Sequence, residues 1–319
     1  MRWVEVNGVR LSAIGVGCWQ FGASEWGYGE SYAEGEAARI VDRALELDIN
    51  LFDTAEMYAR GRSERILGKA LAGRPAFIAS KMAPFLPLSS TVVRHGHASL
   101  ERLGVGTMDL YQLHWPNPVI PLSQQLGGMR ELQREGAIVH VGVSNYSLAR
   151  WRAAEHALGG PVLSNQVQYS LVARKPDAAL VPWAASNDRI VIAYSPLAQG
   201  FLSGRYDETN APGGVRRNNA LFLPQNLRAA GPLLGTLRDV ARTHDATPSQ
   251  VALAWVIRRP NVVAIPGASS VSQLEQNVAA ADLSLSDEED RELSAASDAF
   301  HPLKGAAAAP KLAQRRLRR

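Results

Sequence analysis

Residues 49–82 read INLFDTAEMYARGRSERILGKALAGRPAFIASKM. An apolar run halts on Asp53, Tyr58 follows, an amphipathic stretch intervenes, and a second apolar run halts on Lys81. Runs that are apolar almost throughout belong to strands buried on both faces, as in parallel sheets covered by helices. The unit is therefore strand, helix, strand, and the fold depends on how often it repeats.

Eight such runs occur: AIGVGCW, INLFDTA, AFIASK, MDLYQLH, IVHVGVSN, VLSNQVQY, IVIAYSP and VVAIPGA. Helix-like segments separate them, at 34–47, 63–71, 89–103, 122–136, 147–158 and 177–188, then 233–245 with 247–259, and a last one follows at 271–282. Eight consecutive strand and helix units in 319 residues predict a closed (β/α)8 TIM barrel. Ahead of it, WVEV and VRLS flank Asn7-Gly8, a two-residue hairpin signal. Helix starts are expected at Ser63, with Glu64 in the first turn, and at Thr247, with Pro248 in the first helical position. A long irregular loop, roughly 196–231, follows strand seven on the face where barrels carry their sites.

Composition narrows the class. The single cysteine, Cys18, rules out an internal disulfide framework and cannot alone build a sulfur-rich metal site. No apolar run is long enough to span a bilayer, and the N-terminus lacks the apolar stretch of a secretion signal, so a soluble cytoplasmic protein is expected. Six of the 34 Lys and Arg lie after Phe300, where no acid occurs, which leaves 28 basic against 30 acidic residues in the body. The basicity thus resides in the tail. Residues 1–300 read as one barrel and 301–319 as a basic, poorly ordered end rather than a nucleic-acid or membrane contact.

Barrel sites are built at the C-terminal ends of strands. Asp53 ends strand two, Lys81 strand three and His114 strand four, while Tyr58 stands in the loop after strand two. Each alone has a structural explanation: a turn cap, a rim residue, a surface lysine, a core histidine. Jointly they point elsewhere, because a lysine ending a buried strand needs a partner, and Asp53 is one strand away. A phenol beside an ammonium has its ionised form favoured, and a neutral imidazole can hold a carbonyl oxygen. That is equipment for adding hydride to a carbonyl. The pair His95 and His97 is set aside as a metal site, since residues two apart on a helix point in different directions. GVGCWQ is set aside as a dinucleotide fingerprint, having no third small residue.

DTAEMY, GRSERILGKAL, IASK, MDLYQLHWPNP, VGVSNYS, NQVQYS, YSPLAQGFLSG and IPGASS, in that order, resemble the aldo-keto reductase superfamily from about residue 3 to about 296. The resemblance implies a catalytic tetrad of Asp53, Tyr58, Lys81 and His114, with Tyr58 the general acid in reduction. It also implies a nicotinamide dinucleotide lying across the barrel mouth. Ser144, Asn145 and Gln166 would hold its carboxamide and Tyr194 would stack beneath its ring. Ser195, Leu197, Gly200, Leu202 and Gly204 would run under the pyrophosphate. Ile265, Gly267, Ser269, Ser270, Gln273, Gln276 and Asn277 would surround the adenosine.

Here the sequence departs from the family pattern, which places Lys or Arg against a 2′-phosphate where this chain has Ser269, Ser270 and Gln273. NADPH remains the favoured cofactor, with Arg205, Arg216 or Arg217 reaching over from the long loop, and NADH is the alternative. Trp19 and Trp115, with Trp26, Tyr28 and Phe85, would wall the site for a small carbonyl substrate, an apolar or aromatic one before a phosphorylated sugar. Two rival readings stand beside the reductase. One is a nucleotide-sensing regulatory subunit resembling potassium-channel β subunits. The other is a cofactor-free lyase using Lys81 as a Schiff-base nucleophile.

Overall fold

A computed structural model describes residues 1–23 and 30–317. Trp26 and Tyr28 lie outside the described residues. The chain begins with an antiparallel hairpin, β1 (Trp3–Val6) and β2 (Val9–Ser12). Its turn residues Asn7 and Gly8 both have positive φ, 49° and 77°, which a two-residue turn of this twist requires.

The eight expected runs then form one parallel sheet: β3 (Val16–Gly17), β4 (Leu51–Asp53), β5 (Phe77–Met82), β6 (Met108–Leu113), β7 (Ile138–Ser144), β8 (Ser164–Gln168), β9 (Ile190–Tyr194) and β10 (Val262–Ile265). Each pairs with the next in chain order. The two ends meet where Gly15 N donates to Ala264 O at 2.8 Å and Ala264 N to Ala13 O at 2.8 Å. The sheet is thus a (β/α)8 TIM barrel, and the hairpin precedes it. Glycine sets the closure, because a Cβ on Gly17 would sit 2.7 Å from the carbonyl oxygen of Ile265.

Around the barrel lie α1 (Glu30–Glu46), α2 (Arg62–Leu71), α3 (Ser89–Leu103), α4 (Leu122–Arg134), α5 (Leu148–Leu158) and α6 (Leu180–Ser186). After β9 come α7 (Pro224–Ala229), α8 (Gly231–Thr243) and α9 (Pro248–Ile257), and after β10 come α10 (Val271–Ala279), α11 (Asp287–Asp298) and α12 (Ala309–Leu317). Thr247 caps α9 in a reciprocal box with Gln250, and Pro248 is its first residue, as the sequence indicates. Ser63 does not cap α2. That helix starts at Arg62 after Gly61, and the Ser63 hydroxyl is buried, donating to Cys18 O at 2.8 Å.

The stretch 196–231 is more ordered than expected, with 3-10 turns at Ala198–Ser203, Gly214–Asn218 and Ala220–Phe222 ahead of α7. Helix α11 is absent from the sequence reading, although Ser286 and Glu289 form a capping box at its start. Residues 301–319, expected to be poorly ordered, include α12, whose Arg315 donates to Phe222 O at 2.8 Å. Among the described residues no helix is long and apolar enough to cross a membrane.

Two helical glycines separate propensity from packing. A Cβ on Gly68 of α2 would lie 2.0 Å from the backbone oxygen of Leu103, whereas Gly235 of α8 has open space around it. Gly235→Ala should therefore stabilise the protein by about 0.5–1 kcal/mol through helix propensity. Gly68→Ala should destabilise it by about 1–3 kcal/mol through overpacking. Urea unfolding of both variants checks the opposite signs.

Candidate active site

The barrel's C-terminal mouth gathers side chains from four strands. Lys81, from β5, is fully buried, and its Nζ donates to Asp53 Oδ1 at 2.5 Å, to Thr54 O at 2.7 Å and to Tyr58 Oη at 3.1 Å. The three donors of the ammonium are thereby all used. Asp53, at the end of β4, is buried too, and its second oxygen accepts from Gln166 Nε2 of β8 at 2.7 Å and Gln112 Nε2 of β6 at 3.4 Å. Gln166, expected at the nicotinamide carboxamide, thus has its amide nitrogen committed to the acid.

Tyr58 stands above this pair. Its ring faces His114 edge-on at 5.7 Å between centroids, and Trp19 at 6.5 Å. Burial pushes the Tyr58 phenol above its usual pKa, while Lys81 acts against that shift. This corrects the expectation that the phenol ionises more readily than free tyrosine, because desolvation outweighs the ammonium. The phenol consequently keeps its proton at neutral pH. For Lys81 burial favours the neutral amine, yet Asp53 and Tyr58 more than offset it and its pKa is raised. His114 is pulled down to about 3, by burial first and Lys81 second, so its imidazole is neutral across the ordinary pH range. Its Nδ1 is buried with no partner among the described residues.

A cleft of about 670 Å3 opens over these groups, within the usual range for small-molecule sites. Asp53, Tyr58 and His114 line it, and Lys81 lies beneath. Asn145, held at φ 62°, accepts from Tyr194 Oη at 2.9 Å and donates to Ser144 Oγ at 3.0 Å and His114 O at 3.2 Å. Ser144, Gln166, Ser195, Leu197, Gly200, Ile265, Gly267, Ser269, Gln273, Gln276 and Asn277 also border the cleft.

Three residues assigned to the cofactor do not border it. Leu202 is in the core. Gly204 lies beyond the 3-10 turn at φ 68°, near Pro248 and Arg238. Ser270 caps α10, accepting from Gln273 N at 3.2 Å.

Of the three arginines expected to reach over, Arg205 and Arg216 line the cleft. Arg217 instead donates to Arg315 O of α12 at 2.7 Å. Trp19 and Trp115 line the cleft and are 40% and 48% exposed, so both offer aromatic surface to a guest. Phe85 is 69% exposed and does not border it. Met57, Gln199 and Tyr206 border it through loop conformation, which the sequence does not reveal, and Gln168 borders it as the last residue of β8, a strand end the sequence reading did not single out. His95 and His97 pair separately with Glu56 and Glu135 at 2.7 and 2.9 Å. No cluster of three metal-ligating side chains occurs among the described residues.

The fold and the cleft are those of a barrel enzyme with its ionisable groups at the C-terminal mouth. The model of the aldo/keto reductase family matches residues 13–298, and the chain belongs to that family of oxidoreductases. It is 54% identical over 308 residues, 95% of each chain, to an uncharacterized oxidoreductase of Mycobacterium tuberculosis. It is 33% identical over 292 residues to a methylglyoxal reductase of Escherichia coli, covering 90% of this chain and 92% of the relative. A crystal structure of an aldo/keto reductase from Klebsiella pneumoniae in complex with NADP and acetate is similar, with a TM-score of 0.76 at 30% identity, over 92% of this chain and 94% of that one.

The neutral state of His114 has a consequence for stability. In the unfolded chain the imidazole takes up a proton near pH 6.5, whereas in the fold it does so only near 3. Between those values the unfolded state binds more protons, so stability falls as pH falls. His114→Gln lacks this contribution. Chemical denaturation at pH 7 and pH 4.5 should show a smaller loss of stability in the variant than in the wild type, and equal losses would contradict the assignment.

Proposed function

We propose that the protein reduces an aldehyde or ketone to the alcohol with NADPH, and that Tyr58 delivers the proton to the carbonyl oxygen. The observation that carries this reading is the buried Lys81 ammonium, bonded at once to Asp53 and to the hydroxyl of Tyr58 at the floor of a large cleft. The wall chemistry fits a dinucleotide. Near His114 the cleft is bordered by Asn145 and Ser144, whose donors are used within the protein and whose oxygens keep acceptor capacity, and Arg205 and Arg216 supply positive charge for phosphates. At Gly267 a Cβ would meet Gln20 Oε1 at 2.7 Å and displace that side chain, so glycine lets Gln20 and the backbone share that wall. Ser144 and Asn145 would hold the carboxamide, Tyr194 would lie against the ring, and Gln276 and Asn277 would bound the adenosine.

When bound, the cofactor supplies two electrons and a hydrogen to the carbonyl carbon. The chain's own residues do the rest. Neutral His114 holds the carbonyl oxygen by a hydrogen bond, an orientation an imidazolium would share but could lose by titration. Tyr58, protonated at neutral pH, donates to that oxygen as charge develops on it. Lys81, kept cationic by Asp53, then stabilises the phenolate left behind. Trp19 and Trp115 exclude water and favour an apolar or aromatic carbonyl substrate. Lys81 does not suit the Schiff-base alternative, because its amine is sealed beneath Tyr58 and held protonated.

The test is Tyr58→Phe. Reduction of aromatic aldehydes should fall by about 100-fold or more, while NADPH still quenches protein fluorescence with a Kd within about twofold of wild type. Turnover near the wild-type rate with cofactor bound would remove Tyr58 from the acid role. The same titration with NADH should give the weaker binding of the two, and the reverse order would overturn the cofactor preference.

A further inference from the structure

Tyr58 sits in a strained turn. Ala59, Arg60 and Gly61 follow it with φ of 46°, 56° and 79°, and the first two of these carry side chains that disfavour this region. Such strain persists only where surrounding structure over-determines it. Within the turn itself, Tyr58 N donates to Ala55 O at 3.0 Å and Arg60 N to Met57 O at 3.3 Å. Arg62 N donates back to Tyr58 O and Ala59 O, and Glu56 N to Lys81 O at 3.3 Å, so the backbone closes the turn while side chains from outside fix its position.

Helix α3, behind the barrel, provides that fixing. Arg102 Nε donates to Glu64 Oε2, its Nη2 lies 3.7 Å from Glu56 Oε2, and its aliphatic stem passes so close to Gly61 that a Cβ there would meet Cδ at 2.6 Å. Glu56 is two residues before Tyr58, and Glu64 is six after it. One guanidinium therefore spans the turn from end to end. Each carboxylate is tied further. Glu56 accepts from Ala83 N and pairs with His95 Nδ1 at 2.7 Å, and buried Glu64 accepts from Ser80 Oγ at 2.6 Å. Ala83 and Ser80 flank the strand position of Lys81, so the network measures the turn against the element that carries the ammonium.

Taking the reductase reading as given, we infer that Arg102 and Glu56 are positioning residues for the reaction, holding the turn that sets the Tyr58 hydroxyl against Lys81 at 3.1 Å. Neither touches the cleft. Their effect reaches the chemistry through the turn that carries Met57 and Tyr58, and because the Tyr58 hydroxyl must be aimed more closely than a wall residue, the larger effect falls on turnover. A displacement of the hydroxyl by a fraction of an ångström weakens both its bond to Lys81 and its aim at the carbonyl oxygen.

The variants Arg102→Lys and Glu56→Gln test this. Lysine keeps the charge but cannot serve both carboxylates in a fork. Glutamine keeps an acceptor for Ala83 N and loses the ion pairs. With rates expressed per NADPH-binding site titrated by fluorescence, each should lower kcat by about tenfold. KM for the aldehyde and Kd for NADPH should stay within about twofold. A substrate-independent readout is the ultraviolet titration of Tyr58, taken as each protein minus its Tyr58→Phe counterpart, whose midpoint should move by about 0.5 or more in both variants.

Unchanged kcat and an unchanged midpoint in both would overturn the inference. So would a loss confined to KM or Kd. Failure of the reductase reading looks different: wild-type protein would then leave NADPH unoxidised, or Tyr58→Phe would turn over as fast as wild type, whereas failure of the positioning role leaves the Tyr58→Phe loss in place with both turn variants active.

Discussion

A fully buried ammonium governs this mouth. Lys81 sits where desolvation alone would cost several kcal/mol, and it stays there because Asp53, Thr54 O and Tyr58 Oη use all its protons. Asp53 is bound in turn to Gln166 and Gln112, which stand on other strands. Removing the lysine would leave a buried carboxylate short of its strongest partner, so the charge that serves the site also helps to fix the register of β4, β5, β6 and β8. Structure and chemistry are set by one constellation.

The barrel makes this economical. Parallel strands end at a common rim, so residues far apart in sequence, such as Asp53 and Gln166, meet without any dedicated loop. Loops supply what strands cannot. The turn after β4 delivers Tyr58, the backbone at Asn145 adopts φ 62° to link Tyr194 with Ser144, and the long segment after β9 brings Arg205 and Arg216 over the cleft. Exposed Trp19, Met57 and Trp115 complete an apolar side beside a polar one.

Most of the strand framework was legible because most runs are apolar almost throughout, and those of β4, β5 and β6 lead into a conspicuous polar residue. Asp53, Lys81 and His114 stood out for that reason, and most residues named from the motif order border the cleft. What escaped notice was decided by distance or by competition between terms. Ser63 looks like a cap, yet Gly61 starts the helix and the hydroxyl is used inside. Leu202 and Ser270 belong to motifs that run along the cleft, but alternate residues of such a segment face the core or cap a helix. The sign of the Tyr58 shift depends on burial, which no local pattern reveals. Arg102 and Glu56 are ordinary charges in sequence, and only the packing of α3 against the turn joins them. Helix α11 was the avoidable omission, since Ser286 and Glu289 spell a capping box.

The whole account turns on whether the cluster at the mouth moves reducing equivalents to a carbonyl. The direct measurement is absorbance at the wavelength of the reduced nicotinamide while wild-type protein, with NADPH in excess, is mixed with an aromatic aldehyde. Consumption of many equivalents per protein, with formation of the matching alcohol, is the result expected. Bound NADPH that stays unoxidised across a panel of aldehydes and ketones would contradict it.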